Sequence, residues 1–254
     1  KWDLCLKKRV RFLLVKFKKT QSWLVHLLTA SGAVAGFLSL QAIFHDNIFL
    51  AFIWLSLAFF IDGIDGTFAR RYKVEEVVPN VDGSILDNIV DYLNYVFIPA
   101  VMLYWFDLVP SQLTLLTVAL ILIVSCYTFA NTKLKTEDHF FRGFPSVWNI
   151  VLFYLFVLDT SQWINFLVFI FFSVMTFIPL KYVHPFRVNN QKKITLGVMA
   201  IWGLCCVFLL MDLGDIQTQI SNYRAYYFWL WVVTNLYFIY ISLNRSIFKE
   251  NSYS

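Results

Sequence analysis

Four aspartates at two short spacings are the residues best placed to do chemistry: Asp62 and Asp65, three apart, and Asp87 and Asp91, four apart. The first pair follows AFIWLSLAFFI, eleven residues without a charge. On a helix, either spacing puts both side chains on one face. Arg70, Arg71 and Lys73 mark a loop between the two acidic segments. The helices on either side of that loop run in opposite directions, so their acidic turns can face each other. Four carboxylates at close range repel and lose hydration, and something positive must compensate. Arg70 and Arg71 supply part of it. A pair of divalent ions, Mn2+ or Mg2+, supplies it better, because such ions prefer carboxylate oxygens and share their shell with phosphate. A solvated helix end held by interhelical bonds is the structural alternative. The ion path of a coupled membrane transporter is the functional one. Gly63, Gly66 and Gly83, with Ala69, keep side chains away from the acids. That leaves room for a nucleotide diphosphate against the backbone, and it equally permits close helix packing.

The elements that must position these acids are apolar. Of 254 residues, 59% are hydrophobic and 15% charged, where a soluble globular chain has about 45–50% and about 25%. Mean hydropathy is +0.64. This is the composition of a membrane protein. A net charge of +5 could suit nucleic acid, but the Lys and Arg residues stand between apolar runs, which points to an anionic membrane surface and to no nucleic acid. Spans need roughly 20 residues each, and eight are expected, at 21–43, 47–69, 84–106, 111–130, 146–159, 163–180, 194–212 and 225–244. The junctions at 107–112 and 159–162 are so short that antiparallel neighbours must follow. With the N-terminus in the cytosol, 20 of the 21 Lys and Arg residues fall on the cytosolic side, Arg224 being the exception. The positive-inside rule thus supports both the count and cytosolic termini.

Residues 1–20 hold eight basic residues, with Leu6, Val10, Leu13 or Leu14, and Phe17 at three- to four-residue steps. An interfacial amphipathic helix is expected there, a basic leader orienting the first span being the alternative. It does not have the form of a signal peptide, because the apolar run behind it is long enough to stay in the bilayer. Gly32 and Gly36 form a Gly-x-x-x-Gly pair for close packing, within the subunit or at a homodimer contact. Cys5, Cys126, Cys205 and Cys206 show no paired spacing and read as small hydrophobes, without disulfide or zinc. The expectation is an all-α, polytopic membrane helical bundle forming one domain over 1–254.

Asp62-Gly-Ile-Asp65-Gly66-Thr-Phe-Ala69-Arg70, then Gly83-Ser-Ile-Leu-Asp87-Asn-Ile-Val-Asp91, resembles the signature of the CDP-alcohol phosphotransferase family at eight fixed positions. The interval 71–82, twelve residues, is longer than is usual for the family. Lying in the loop, it is expected to bulge without moving the acids, and it leaves the role of Asp82 open. His139-Phe-Phe-Arg142-Gly-Phe-Pro145-Ser-Val-Trp148-Asn149, Pro179-Leu-Lys181-Tyr-Val-His184-Pro185-Phe-Arg187 and Thr29 resemble the bacterial phosphatidylcholine synthases within that family.

The resemblance implies a helical bundle with a cytosol-facing cavity and six core spans, which leaves two spans here as additions. It implies that Asp62, Asp65 and Asp87 hold two Mn2+ or Mg2+ ions, with Asp91 beside them as a further ligand and the general base. Gly66, Ala69 and Arg70 would hold the CDP part of CDP-diacylglycerol. The implied reaction joins CDP-diacylglycerol to choline, giving phosphatidylcholine and CMP in a bacterial inner membrane, among membrane lipids. Serine, inositol or glycerol phosphate are the alternative acceptors. Lys133, Lys135 and Arg142 fall on the side of the acids, where they would meet the anionic donor or anchor the membrane surface. Choline asks for aromatic faces around its quaternary ammonium. Tyr92, Tyr95, Trp148 and Tyr182 are available walls, with Tyr92 and Trp148 as the candidates and core packing as the other reading of each. His26 and His45 have no case for chemistry.

Overall fold

The computed structural model describes residues 2–131, 141–178, 181–182, 192–214 and 223–247. Helices occupy all eight segments expected of the sequence. In chain order they are α1 (Trp2–Phe44), α2 (Ile48–Tyr72), the single turn α3 (Val74–Val77), α4 (Gly83–Tyr92), α5 (Ile98–Trp105), α6 (Thr114–Ala130), α7 (Trp148–Leu158), α8 (Gln162–Met175), α9 (Lys192–Leu213) and α10 (Arg224–Ile247). Two short strands, β1 (Phe141–Arg142) and β2 (Lys181–Tyr182), pair antiparallel with Arg142 opposite Lys181.

Among the described residues, five helical segments are long and apolar enough to cross a membrane: Lys16–Phe44, Ile48–Tyr72, Gly83–Trp105, Ser111–Ala130 and Ile194–Leu213. The protein is therefore a polytopic membrane bundle. α7 and α8, with 11 and 14 residues, fall short of the roughly 20 a span needs. α10 has the length, but Tyr226, Tyr227, Trp229, Trp231, Tyr237 and Tyr240 make it less apolar. The segment 1–20 and the span expected at 21–43 form one continuous helix, α1, of 43 residues. Its sequence holds no Gly before Gly32 and no Pro, so nothing interrupts the ladder of backbone bonds. At 1.5 Å per residue it is about 65 Å long, which carries its first turns well beyond a hydrocarbon layer of about 30 Å.

Periodicity decides what faces inward. α2 buries Ala51, Phe52, Leu55, Ala58 and Ile61 along one stripe, while Ile53, Leu57 and Phe60 face out. The same stripe runs on to Asp65. The core between the helices gathers Ile43, Phe52, Val96, Met102, Ile121, Trp148, Leu152 and Phe169. Phe52 meets Phe153 and Phe156 edge-on, at 5.5 and 5.6 Å between ring centres. Large apolar side chains such as Leu115, Ile123, Leu167 and Val233 are exposed around the outside, as a lipid-facing surface requires.

The short junctions close as expected. Asp46, Asp107 and Asp159 each take a left-handed conformation, with φ of 56°, 48° and 46°, which Asp tolerates better than bulkier residues. Two junctions are tied together: the Gln162 amide donates to the Asp107 carbonyl at 2.7 Å and the Asn165 amide to the Leu108 carbonyl at 2.8 Å.

The α4–α5 segment is one helix with a local defect. Pro99 has no N–H, and its ring strikes the carbonyl four residues earlier, that of Tyr95. The helix widens there into a π-turn at Leu93–Phe97, closed by Ile98 N–H donating to the Leu93 carbonyl. α1 packs directly on this turn. Gly32 and Gly36 abut Val90, Asn94 and Ile98, and the Asn94 amide donates to the Gly32 carbonyl at 3.1 Å. The Gly-x-x-x-Gly pair thus serves packing within the subunit.

Candidate metal centre

α2 and α4 meet at the end of the bundle where the loop 73–82 joins them. Asp62 from α2 and Asp87 and Asp91 from α4 each bring a carboxylate oxygen to within 4.8 Å of the others, and all three are half-buried. A divalent ion binds carboxylate oxygens at about 2.0–2.6 Å, so ligands on opposite sides of it stand at about twice that distance. An all-oxygen set at this separation fits a single hard divalent cation.

Asp65 stands outside this trio. It is 4% exposed, beside the Thr29 side chain and the Gly66 backbone, and near the charge of Arg70. The reason is angular: three residues on an α-helix leave two side chains about 60° apart. That offset is enough to aim Asp62 at α4 and Asp65 at α1. Thr29 is therefore the partner of an acid, a role its spacing from Asp65 in the chain does not reveal.

One further group meets the trio. The Tyr95 hydroxyl donates to Asp62 Oδ2 at 2.5 Å, and Asp91 and Asp87 also act on it electrostatically. In the sequence Tyr95 is only one of four aromatic candidates for a choline wall. The available signal was Pro99, four residues on, which produces the π-turn carrying Tyr95.

The loop between the acidic helices does not simply bulge. α3 packs against α1, with Val74 and Val78 buried at a helical spacing of four. Asp82 caps α4, accepting from the Ser84 and Ile85 amides at 2.9 and 3.1 Å. The extra length thus builds a turn and a cap that start the helix bearing Asp87 and Asp91. Beside the acids, the Arg70 guanidinium folds back along α2, donating to the Thr67 hydroxyl at 3.3 Å. It is the one group within 4 Å of where a Gly66 Cβ would stand, so Gly66 leaves this flank clear. Ala69 is half-buried on the same helix. Gly83 admits the ring of His26, a buried histidine whose Nε2 has no hydrogen-bond partner among the described residues.

The two choline candidates each make a hydrogen bond of their own. Trp148 is fully buried, its indole N–H donating to the Ser125 hydroxyl at 2.8 Å, between Phe144 and Phe169. The Tyr92 hydroxyl donates to the Leu122 carbonyl of α6 at 3.3 Å and lies 3.3 Å from Cys126 Sγ. Arg142 lies in β1, next to Gly143, and the Phe144 amide docks this loop on the Met175 carbonyl at the end of α8. Lys133, Lys135, His139 and His184 lie outside the described residues.

Comparison with known proteins gives this geometry a context. The family described as CDP-alcohol phosphatidyltransferase matches residues 23–178. A phosphatidylcholine synthase of Pseudomonas aeruginosa is 36% identical over 238 residues, covering 93% of this chain and 97% of that protein. One of Mesorhizobium japonicum is 42% identical over 201 residues, covering 79% of this chain and 74% of its own. One of Legionella pneumophila is 35% identical over 240 residues, covering 91% and 93% respectively.

Proposed function

The chain belongs to the CDP-alcohol phosphatidyltransferase family, and on that premise we propose that it transfers the phosphatidyl group of CDP-diacylglycerol to choline and releases CMP. The observation that carries this reading is the trio Asp62, Asp87 and Asp91, three oxygen ligands gathered at one point within the matched family region. Relatives named phosphatidylcholine synthase, aligned over nearly the whole chain, support choline as the acceptor.

In this proposal Asp62, Asp87 and Asp91 hold a Mn2+ or Mg2+ ion, and Asp65 is the carboxylate available to a second. Divalent ions bound there supply Lewis-acid polarisation of the donor's diphosphate and charge for the departing CMP. Gly66 and Ala69 keep the flank of α2 free for the CDP moiety, and the Arg70 guanidinium helps to hold it. Lys133 and Arg142 meet the donor's phosphates. Asp91 accepts the choline hydroxyl proton. The choline oxygen forms a bond to the lipid-bearing phosphorus while the bond from that phosphorus to the CMP oxygen breaks, and CMP leaves with the electron pair. No enzyme nucleophile is needed. The proposal places both termini and the trio on the cytosolic side of a bacterial inner membrane. α7, α8 and α10 join the five more apolar segments to make eight crossings of a single domain. The lipid tails then stay in the bilayer while choline arrives from the cytosol.

The test is CMP release by the purified chain in vesicles containing CDP-diacylglycerol and Mn2+, with choline, serine, inositol or glycerol phosphate offered in turn. Release with choline alone is expected. Release with another acceptor alone moves the specificity. Choline flux without CMP makes the protein a transporter.

A further inference from the structure

We propose that Tyr95 is a positioning residue of the carboxylate trio: its hydroxyl fixes the Asp62 carboxylate so that Asp62, Asp87 and Asp91 take up one divalent ion together. The inference rests on the metal-binding reading of the trio given above.

The trio is drawn from two helices. Asp87 and Asp91 share α4, one turn apart, whereas Asp62 arrives from α2. Tyr95 follows Asp91 by four residues, on the helix that carries the other two ligands. Its hydrogen bond to Asp62 Oδ2 at 2.5 Å therefore links the lone ligand on α2 to the frame of the pair on α4. The distance is that of a hydroxyl donating to a charged oxygen, which is stronger than a neutral bond.

Packing does not explain the hydroxyl. The Tyr95 ring is 6% exposed, edge-on to Phe59 at 6.1 Å, with Val96 and Ile98 fully buried alongside. Phenylalanine would fill that space without bringing a polar group that must be satisfied. The local backbone points the same way. Tyr95 sits at the centre of the π-turn Leu93–Phe97, and such turns occur frequently at functional sites. Pro99 provides its cause, and the Asn94 bond to the Gly32 carbonyl anchors it to α1. The tyrosine is thus held on a braced segment at the height of the acids.

Groups that hydrogen-bond to metal ligands typically change metal affinity or activity about 10- to 100-fold when removed. The experiment is a Mn2+ titration of the purified full chain in detergent, reading the paramagnetic resonance signal of free Mn2+, for wild type, Tyr95→Phe, Asp62→Asn and the double variant. Tyr95→Phe is expected to weaken Mn2+ binding about 10- to 100-fold. Raising Mn2+ should restore its CMP release, with KM for choline unchanged. In the Asp62→Asn background, Tyr95→Phe should produce no further weakening, because the carboxylate that Tyr95 positions is already gone. Wild-type affinity in Tyr95→Phe overturns the inference. So does an equal loss in the Asp62→Asn background, since the tyrosine would then not act through Asp62. Failure of the wild-type chain to bind Mn2+ overturns the metal reading itself, and the wild-type arm distinguishes that result. For a Tyr95→Phe chain too unstable to purify, the Mn2+-induced rise in melting temperature is compared in detergent extracts, and a rise equal to wild type overturns the inference.

Discussion

Replacing Gly36 with alanine should force α1 away from the π-turn that carries Tyr95. A Cβ at Gly36 would stand 2.6 Å from Asn94 Oδ1 and 2.8 Å from Ile98 Cδ1. Carbon atoms in contact settle at about 3.5–4.0 Å, so the two segments must part by about 1 Å. Ile98 is fully buried, and Asn94 is held by its bonds to the Gly32 and Val90 carbonyls, so neither can turn aside freely. Overpacking of this kind costs about 1–3 kcal/mol, against a gain of about 1 kcal/mol for alanine over glycine inside a helix. Gly203→Ala provides the control, because among the described residues nothing lies within 4 Å of its Cβ position and it receives the helical gain alone. The difference between the two variants isolates the contact. At roughly 2–4 °C per kcal/mol for a chain of this size, it amounts to about 2–12 °C in the thermal unfolding of the detergent-solubilised protein. CMP release should fall with it, since Asn94 adjoins Tyr95, and light scattering should give the same mass as wild type. Equal melting temperatures for the two variants would refute the packing argument. A change of mass would make the glycine pair an intermolecular contact.

Three other variants separate structural from chemical roles. Asp82→Ala removes the acceptor for two amides at the start of α4 and should lower stability by about 1 kcal/mol, read as a drop in melting temperature. Trp148→Phe takes the indole donor from Ser125 and should cost about 1–3 kcal/mol while leaving KM for choline unchanged; a raised KM would restore Trp148 as a choline wall. Gly143→Ala places a side chain at a φ of 86° and against the Thr176 carbonyl. It should melt below Gly203→Ala, by about 1–2 kcal/mol from the left-handed conformation alone.

The helices were legible because charge and polarity cluster between apolar runs, and each expected segment holds a helix whose ends are displaced by a few residues, the start of α1 excepted. The acids were legible too, since two aspartates three apart close the apolar run of α2 and the spacing of Asp87 and Asp91 shares one face. What escaped depends on angles and partners that spacing does not encode. Asp62 and Asp65 differ by about 60° around the helix, and only the position of Thr29 on α1 decides which way each turns. Tyr95 reaches Asp62 through a π-turn, a departure from regular helix that Pro99 causes and that pattern reading passes over. The continuity of α1 hid behind the change from basic to apolar residues, which alters the surroundings of a helix without breaking it. The loop ahead of α4 carried its own signals, Val74 and Val78 four apart and Asp82 directly before Gly83, but its length was more conspicuous than its pattern.

The central claim is that Asp62, Asp87 and Asp91 form one metal-dependent site for joining choline to a CDP-activated lipid, with Asp91 taking the proton. Choline-dependent CMP release by Asp91→Asn protein at saturating Mn2+, with its melting temperature checked alongside, tests it most directly. A folded protein whose rate is at least about 100-fold below wild type, the lower bound for a lost proton acceptor, is the predicted result. A folded Asp91→Asn protein releasing CMP at the wild-type rate would contradict it.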